Sequence, residues 1–393
     1  PRSTLFPYTT LFRSLYCGRN EGYPLKTLDD DIGASLKKLH PGIHYISSSA
    51  DDTVSGHGPY RALDVKSYFE QRATPKFHSE MGMPNIVTMD SLKEFMDEKD
   101  RWPQGAVWGL HDFCLTGAQG GESFRGRIDK SYGGAKNVDE WIALAQFVNY
   151  EGYRAMYEAQ SKNRMGLLIW MSHPAWPSFV WQTYDYYLEP TASYFASKKA
   201  AEPLHIQWNP LSDAVEVVNY SGGNATGLTA TAEVINLDGK VAWTKSATLD
   251  SKEDSVATPI KLEFGAGLSA VHFVRLKLAR GATVVSENTY WRGAAADDFR
   301  AIRTLPQVKL EAATKAELAG GVWRASTTVK NPSQTPALMV RLKAVGEKTG
   351  ERLLPAIMSD NYLILMPGES RTVTIEVGEA DARGERLGVA VEG

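Results

Sequence analysis

In the first half of the chain, apolar runs of strand length alternate with apolar positions at helical spacing. The sequence Asn137-x-x-Glu140 predicts a capping box at the start of the longest helix. Helices are predicted at residues 29–39, 90–96, 137–161 and 191–200. Strands are predicted at residues 15–17, 44–47, 76–79 and, as a buried strand, 166–171. This alternation predicts a parallel sheet or a (β/α) barrel.

The second half changes to the two-residue period of strands. Residues 373–377 place apolar side chains on one face and polar side chains on the other. Asp238-Gly239 lies between two apolar runs and predicts a hairpin. Helical spacing returns only weakly, at residues 312–318. Many short strands separated by turns predict two β-sandwiches, divided near residue 304.

Composition narrows the class of protein. The 393 residues suffice for two or three domains at roughly 150 residues each. The net charge of -3, without a basic run, gives no reason to expect a nucleic-acid partner, and no apolar run is long enough to span a membrane. Cys17 and Cys114 make neither a disulfide scaffold nor a closed zinc site. Because 14 of the 17 tyrosines precede Pro210, we expect a ligand pocket in the first half.

The N-terminal segment has a different origin from the rest. Residues 4–14 (TLFPYTTLFRS) match the in-frame translation of a common sequencing adaptor, so residues 1–14 are interpreted as an artefact and left out of the fold. We therefore expect the natural protein to continue upstream of Leu15, with any signal peptide lost with that part. The expected location of the full-length parent is secreted or periplasmic, and its oligomeric state stays unknown.

Two glutamates stand at the ends of predicted strands. Glu21 follows the strand at residues 15–17, and Glu80 follows the strand at residues 76–79. In a (β/α) barrel, residues at the C-terminal ends of strands face the active site. Two carboxylates placed there can flank one bond, where one protonates the leaving oxygen and the other attacks or activates water. Solvated surface charge remains the alternative interpretation of either glutamate.

Motifs around these glutamates resemble glycoside hydrolase family 2. GRNE at residues 18–21 resembles an acid/base signature of retaining glycosidases, and HSEMGMP at residues 78–84 resembles the nucleophile segment of the family. Residues 170–199 resemble the end of its barrel. EPLHIQW at residues 202–208 resembles the entry to the next domain in the branch that holds exo-β-D-glucosaminidases and β-mannosidases. YLILMPGESRTVT at residues 362–374 resembles the end of the last sandwich.

This resemblance implies a multidomain fold, α/β in its first part and all-β in the rest. Residues 15–202 would be the C-terminal part of a (β/α)8 TIM barrel, from about strand four to helix eight. Residues 203–304 and 305–393 would be two immunoglobulin-like β-sandwiches. Because a barrel that begins at strand four lacks three strands, we expect the chain alone to be inactive.

The resemblance also implies a reaction, the hydrolysis of O-glycosyl bonds by a retaining exo-β-glycosidase. Glu21 would be the acid/base and Glu80 the nucleophile, and their environments must push the two pKa values apart. Asn20 would hydrogen-bond the 2-substituent of the sugar and the nucleophile, and Trp170 would lie under the sugar ring. The substrate would be a β-linked oligosaccharide, a β-mannoside or a β-glucosaminide, with β-galactoside and β-glucuronide as alternatives.

Further residues are candidates for contact with the substrate: two in a glycine-containing loop that suits a pocket wall, with an ordinary loop as the alternative, two that could line an aglycone subsite, and a tryptophan after the last strand, with core packing as the alternative. They are His57, Tyr60, Trp108, His111 and Trp176. His173-Pro174 stands where the family often has Asn-Asp or Asn-Asn, which leaves the sugar open. No metal constellation is visible in the sequence, and no cofactor is expected. A non-catalytic carbohydrate-binding or scaffolding protein, with the sandwiches as its working parts, is the alternative to an enzyme.

Overall fold

Short strands of the first half pair side by side in parallel, in two separate sheets. The computed structural model describes residues 15–51, 53–70, 76–114, 120–161, 166–179 and 181–393, so the adaptor-like residues 1–14 lie outside the described residues. The strands are β1 (Leu15–Cys17), β2 (His44–Ile46), β3 (Val54–Ser55), β4 (Phe77–Met81) and β5 (Leu167–Ile169).

The first sheet pairs β1 with β2, and the second has β4 between β3 and β5. Helices lie between most of these strands along the chain, as expected for parallel strands joined by crossovers. They are α1 (Lys26–Leu39), α2 (Val65–Glu70), α3 (Met89–Phe95), α4 (Glu98–Arg101), α5 (Ala106–Leu110), α6 (Gly121–Tyr132), α7 (Val138–Gln160) and α8 (Ala192–Ala200).

Helix α7 is the central helix of this half, and its side chains are buried along most of its length. Half of the predicted capping box forms at its start. The side-chain oxygen of Asn137 accepts a hydrogen bond from the backbone N–H of Glu140 at 2.9 Å. The Glu140 carboxylate accepts instead from the N–H of Lys136, at 2.7 Å. None of the described helices combines the length and the apolar character needed to cross a membrane.

Two pairs of antiparallel sheets form the second half, and each pair encloses apolar side chains from both of its sheets. The first pair has the strand orders β10-β7-β6 and β12-β11-β8-β9, where the strands are β6 (Leu204–Asn209), β7 (Ala214–Asn219), β8 (Ala225–Asn236), β9 (Val241–Ser251), β10 (Ser255–Lys261), β11 (Val271–Arg280) and β12 (Thr283–Gly293).

A short 3₁₀ helix, Arg300–Thr304, leads to the second pair. Its sheets have the orders β13-β14-β18-β16 and β17-β15-β19. The strands are β13 (Glu311–Ala319), β14 (Val322–Lys330), β15 (Ala337–Gly346), β16 (Ile357–Met358), β17 (Leu363–Leu365), β18 (Ser370–Gly378) and β19 (Leu387–Glu392).

Two details of the sequence-based prediction are wrong. The weak helix at residues 312–318 is part of strand β13, because nine residue pairs with β14 outweigh the helical preference of its alanines and charged residues. The strand predicted as buried at residues 166–171 is β5, and Leu168 within it is 56% exposed. Among the described strands, β5 pairs on one side only, with β4.

Buried ion pairs connect the helical half to both sandwiches. At the end of α7, Glu158 meets His205 of strand β6. Glu189, which precedes α8, accepts hydrogen bonds from both Arg341 and Arg352 of the last sandwich. Since buried charges are tolerated only when they are paired, these contacts fix the orientation of each sandwich against the helices.

Candidate active site

Glu21 lies in the turn after β1, with its backbone in the left-handed region at φ +53°. Its backbone N–H donates to the Ser49 hydroxyl at 2.8 Å, and that hydroxyl donates to the side-chain oxygen of Asn20 at 3.2 Å. The Glu21 side chain is 41% exposed. A serine that follows β2 therefore holds the loop that carries the first candidate carboxylate.

Glu80 lies inside strand β4, one residue before its end, and is only 7% exposed. The strand extends two residues beyond its predicted end at residue 79, so Glu80 lies within it and not after it. His78 is two residues earlier in the same strand and is also buried. Since alternate residues of a strand share a face, His78 points to the same side as Glu80.

The structure brings the two carboxyl groups together around Tyr60. The Tyr60 hydroxyl donates to Oε1 of Glu21 at 3.0 Å and lies beside the carboxyl group of Glu80, which raises the pKa of the phenol. The charge of Glu21 acts on Glu80 and raises its pKa, so the two carboxyl groups are neighbours. His57 lies on the open side of the pair, with Nδ1 at 3.7 Å from Oε1 of Glu21. Residues from three strand ends therefore meet at one point.

Burial governs the protonation of this cluster. It raises the pKa of Glu80, the charge of Glu21 raises it further, and the hydrogen bond from Tyr60 opposes the rise. Burial and the two carboxylates also raise the pKa of Tyr60, so its hydroxyl keeps its proton at neutral pH. The direction for Glu80 is opposite to what the resemblance implies for a nucleophile, because Glu80 is the more buried glutamate.

Trp170 follows β5, and its ring is 44% exposed. Its backbone N–H donates to the carbonyl oxygen of Met81, the neighbour of Glu80, at 2.9 Å. Gly82 makes this approach possible, since a Cβ atom there would lie 2.3 Å from the Trp170 carbonyl oxygen. The candidate floor of the sugar site is thus adjacent to the strand that carries Glu80.

His111 and Trp176 form an aromatic platform of their own. Their rings are 5.8 Å apart and nearly parallel, and Trp176 is 46% exposed. Nδ1 of His111 is hydrogen-bonded to the carbonyl oxygen of Pro177 at 2.7 Å, and its ring packs against Phe95. Among the described residues, the side-chain contacts of His111 and Trp176 are with each other, with Phe95 and with Pro177, and not with the two glutamates.

Trp108 is a core residue, and the prediction that it lines a subsite is wrong. Its side chain is fully buried, and its ring stacks on Phe179 at 4.6 Å with an interplanar angle of 5°. Its indole N–H donates to the carbonyl oxygens of Asp100 and Arg101. Because the ring packs in the core and the indole N–H is hydrogen-bonded, Trp108 supports the segment that carries Trp176 and Phe179 from beneath.

Two residues outside the predicted site contribute to the geometry. Ser49 links the turn of Glu21 to strand β4, since its carbonyl oxygen accepts from the Ser79 hydroxyl at 2.9 Å. No pattern in the sequence indicates this serine. Trp181 stacks on Tyr60 with the ring centroids 5.1 Å apart, and its only sequence signal is its place after the last parallel strand. No group of three or more His, Cys, Asp or Glu side chains in the described parts of the chain could hold a metal ion.

Known proteins resemble this chain in sequence and in structure. Residues 288–393 match a sequence family described as the exo-β-D-glucosaminidase Ig-fold domain. The exo-β-D-glucosaminidase of Amycolatopsis orientalis is 30% identical over 378 residues, which covers 86% of this chain and 36% of that protein. The mannosylglycoprotein endo-β-mannosidase of Lilium longiflorum is 28% identical over 214 residues, which covers 52% of this chain and 22% of that protein.

The crystal structure of the Amycolatopsis orientalis exo-chitosanase superposes with a TM-score of 0.87 at 25% identity. The match covers 97% of this chain and 50% of that one. The chain thus spans between about a third and a half of the length of these exo-acting relatives. The likeness nevertheless extends through the helical half and both sandwiches.

Proposed function

We propose that this chain, a homologue of the exo-β-D-glucosaminidase branch of glycoside hydrolase family 2, carries the catalytic carboxylates of a retaining exo-β-glycosidase. The observation that carries the proposal is the meeting of Glu21, Glu80 and Tyr60 at the ends of parallel strands. Relatives that are glycoside hydrolases support the reaction class.

The fold supports this placement. In our proposal, residues 15–202 are the later part of a (β/α)8 barrel, and β1 to β5 are its strands four to eight. Residues 203–304 and 305–393 are then the two immunoglobulin-like sandwiches. The parallel pairing of β1 with β2 and of β3, β4 and β5 is the pairing that a barrel requires.

In the proposed mechanism, Glu21 protonates the glycosidic oxygen while Glu80 attacks the anomeric carbon. Water then releases the sugar, with Glu21 as the base. Carboxyl groups are about 5–5.5 Å apart in retaining glycosidases and about 6.5–9.5 Å apart in inverting ones, which need room for a water. Tyr60 lies beside both carboxyl groups, which supports the shorter separation and therefore retention. The hydrogen bond from Tyr60 favours the ionised form that Glu80 needs for attack.

For the sugar we propose a β-D-glucosaminide, with a β-mannoside as the second choice. The support is the family match of the last sandwich and the identity to exo-β-D-glucosaminidases over most of the chain. Asn20 and Trp170 are the proposed contacts to the 2-substituent and the face of the sugar. His57, His111 and Trp176 are exposed enough to contact a ligand.

The test uses the protein made from its full coding sequence, and p-nitrophenyl β-D-glucosaminide and β-D-mannoside as substrates. Glu80→Gln and Glu21→Gln should each lower kcat by orders of magnitude, while Glu98→Gln, an exposed glutamate of α4, should leave it unchanged. NMR of the first-formed sugar should show the β-anomer. Near-normal turnover by either glutamine variant would overturn the assignment.

We also propose that the 393 residues expressed alone do not hydrolyse these substrates. Among the described strands, β1 and β5 each pair on one side only, and β2 and β3 are not paired with each other. Unpaired strand edges leave the walls of a pocket incomplete. Robust hydrolysis by the isolated chain would contradict this proposal.

A further inference from the structure

The Tyr60 hydroxyl has to be held in one position among several hydrogen-bond acceptors. One hydroxyl hydrogen faces two acceptors at hydrogen-bond distance, Oε1 of Glu21 at 3.0 Å and the carbonyl oxygen of Gly56 at 2.7 Å, and the Glu80 carboxyl group lies beside them. A phenol has one proton to donate, so a small rotation of the ring changes which acceptor receives it. The ring therefore needs support on its face.

The backbone of this loop is already held. The N–H of Gly82 donates to the carbonyl oxygen of Pro59 at 3.2 Å, and His78 is hydrogen-bonded to the backbone of Gly58. These contacts hold the backbone on both sides of Tyr60, and none of them touches the face of its ring. Support for the ring face comes from another side chain.

Trp181 supplies that support. Its ring is stacked on the Tyr60 ring, with centroids 5.1 Å apart and an interplanar angle of 10°. Trp181 is itself fixed, since it is 8% exposed and its carbonyl oxygen accepts from the Tyr153 hydroxyl at 3.0 Å and from the N–H of Met171 at 2.9 Å. Its indole nitrogen has no hydrogen-bond partner among the described residues. The face of the Trp181 ring, and not its indole N–H, is therefore the part that contacts Tyr60.

We propose that Trp181 is a positioning residue, which holds the Tyr60 ring by stacking so that its hydroxyl lies between Glu21 and Glu80. The inference rests on the proposed function, because it assigns the two glutamates to catalysis. Trp181 itself touches Tyr60 and the backbone, and acts on the carboxyl groups through that tyrosine alone. Its contact with Met171 also ties it to the peptide that follows Trp170, so the carboxylates and the candidate sugar floor share one support.

The test is a double-mutant cycle in the protein made from its full coding sequence, with Trp181→Leu, Tyr60→Phe and the double variant. Trp181→Leu should lower kcat/KM by about 100-fold, the usual effect of misplacing a catalytic group by about 1 Å. It should act mainly on kcat and move the acidic limb of the pH profile to higher pH, as Tyr60→Phe does. The double variant should be no slower than Tyr60→Phe alone.

Trp181→Phe keeps a flat ring on Tyr60 and should restore most of the rate. The matched control is Trp108→Leu, since Trp108 is also buried and stacked at a small interplanar angle, but on Phe179. Trp108→Leu should lower the free energy of unfolding without moving the pH profile. Its effect on kcat/KM should add to that of Tyr60→Phe.

Additive losses for Trp181→Leu and Tyr60→Phe, or an unmoved pH limb in Trp181→Leu, would overturn the inference. A Trp181→Phe variant as slow as Trp181→Leu would do the same, since the ring face would then not be the acting part. These outcomes are separate from failure of the proposed function, which would show as near-normal turnover by Glu80→Gln.

Discussion

Nε2 of His205 lies 3.1 Å from Oε1 of Glu158, and both side chains are 1% exposed. Nδ1 of the same imidazole lies 3.1 Å from the carboxylate of Glu202, which also pairs with Lys199, and the Tyr290 hydroxyl donates to Glu158 at 2.7 Å. Burial lowers the pKa of His205, but the two carboxylates outweigh burial and raise it above 6.5. The joint between the helical half and the first sandwich thus favours the protonated form of a buried imidazole.

This joint should make the free energy of unfolding depend on pH. A raised folded-state pKa means that the contribution of His205 is fully present below pH 6.5 and is lost as the pH rises through the folded-state pKa. Urea unfolding from about pH 6 to about pH 9 should show a fall in stability that is smaller in His205→Gln. Equal slopes in the two proteins would contradict this role of His205.

Tyr60→Phe should shift the pH dependence of catalysis. The hydroxyl of Tyr60 lowers the pKa of Glu80, so its removal raises that pKa and less of the carboxyl is ionised at a given pH. The acidic limb of kcat/KM should therefore move to higher pH, which rate measurements across the acidic range would detect. A limb that stays in place would show that the hydrogen bond does not set the charge of Glu80.

Glu189→Gln should destabilise the protein by about 3 kcal/mol, since it removes the most buried carboxylate of an ion-pair network and leaves two arginines with the more exposed Asp90, Glu94 and Glu392. Arg341 and Arg352, which Glu189 joins, are mostly buried in the last sandwich. Glu376→Gln is the matched control, because its pair with Arg324 at 3.0 Å is about half exposed and should contribute about 0–1 kcal/mol. Chemical denaturation measures both, and equal effects would contradict the prediction.

Two tryptophans that the sequence treats alike should respond differently to truncation. Trp108→Ala should cost about 3–5 kcal/mol of stability, because it leaves a cavity in the aromatic core. Trp176→Ala removes a ring that is 46% exposed, so it should leave the unfolding midpoint nearly unchanged and raise KM for a longer β-linked oligosaccharide. A stability loss in Trp176→Ala as large as that in Trp108→Ala would show that both are core residues.

The sequence predicts the two carboxylates because the motifs around Glu21 and Glu80 are local. It also predicts Tyr60, but only as a loop residue, since its hydrogen bonds join strands far apart in the chain. Trp108 is misassigned because burial depends on how α5 packs against Phe179, which periodicity over a five-residue helix does not encode. Strand β13 is missed for a related reason, since its partner β14 decides its conformation.

Ser49 spans the gap between the two parallel sheets. Its hydroxyl accepts a hydrogen bond from the backbone N–H of Glu21. Its carbonyl oxygen accepts one from the hydroxyl of Ser79, the residue before Glu80. No backbone ladder joins β2 to β3 in the described part of the chain, so the two serine side chains contribute, together with Tyr60, to the spacing of the carboxyl groups. In the proposed mechanism, that spacing decides whether water can enter between a sugar and the enzyme. The anomeric configuration of the product would then depend in part on two serines that are not among the proposed sugar contacts.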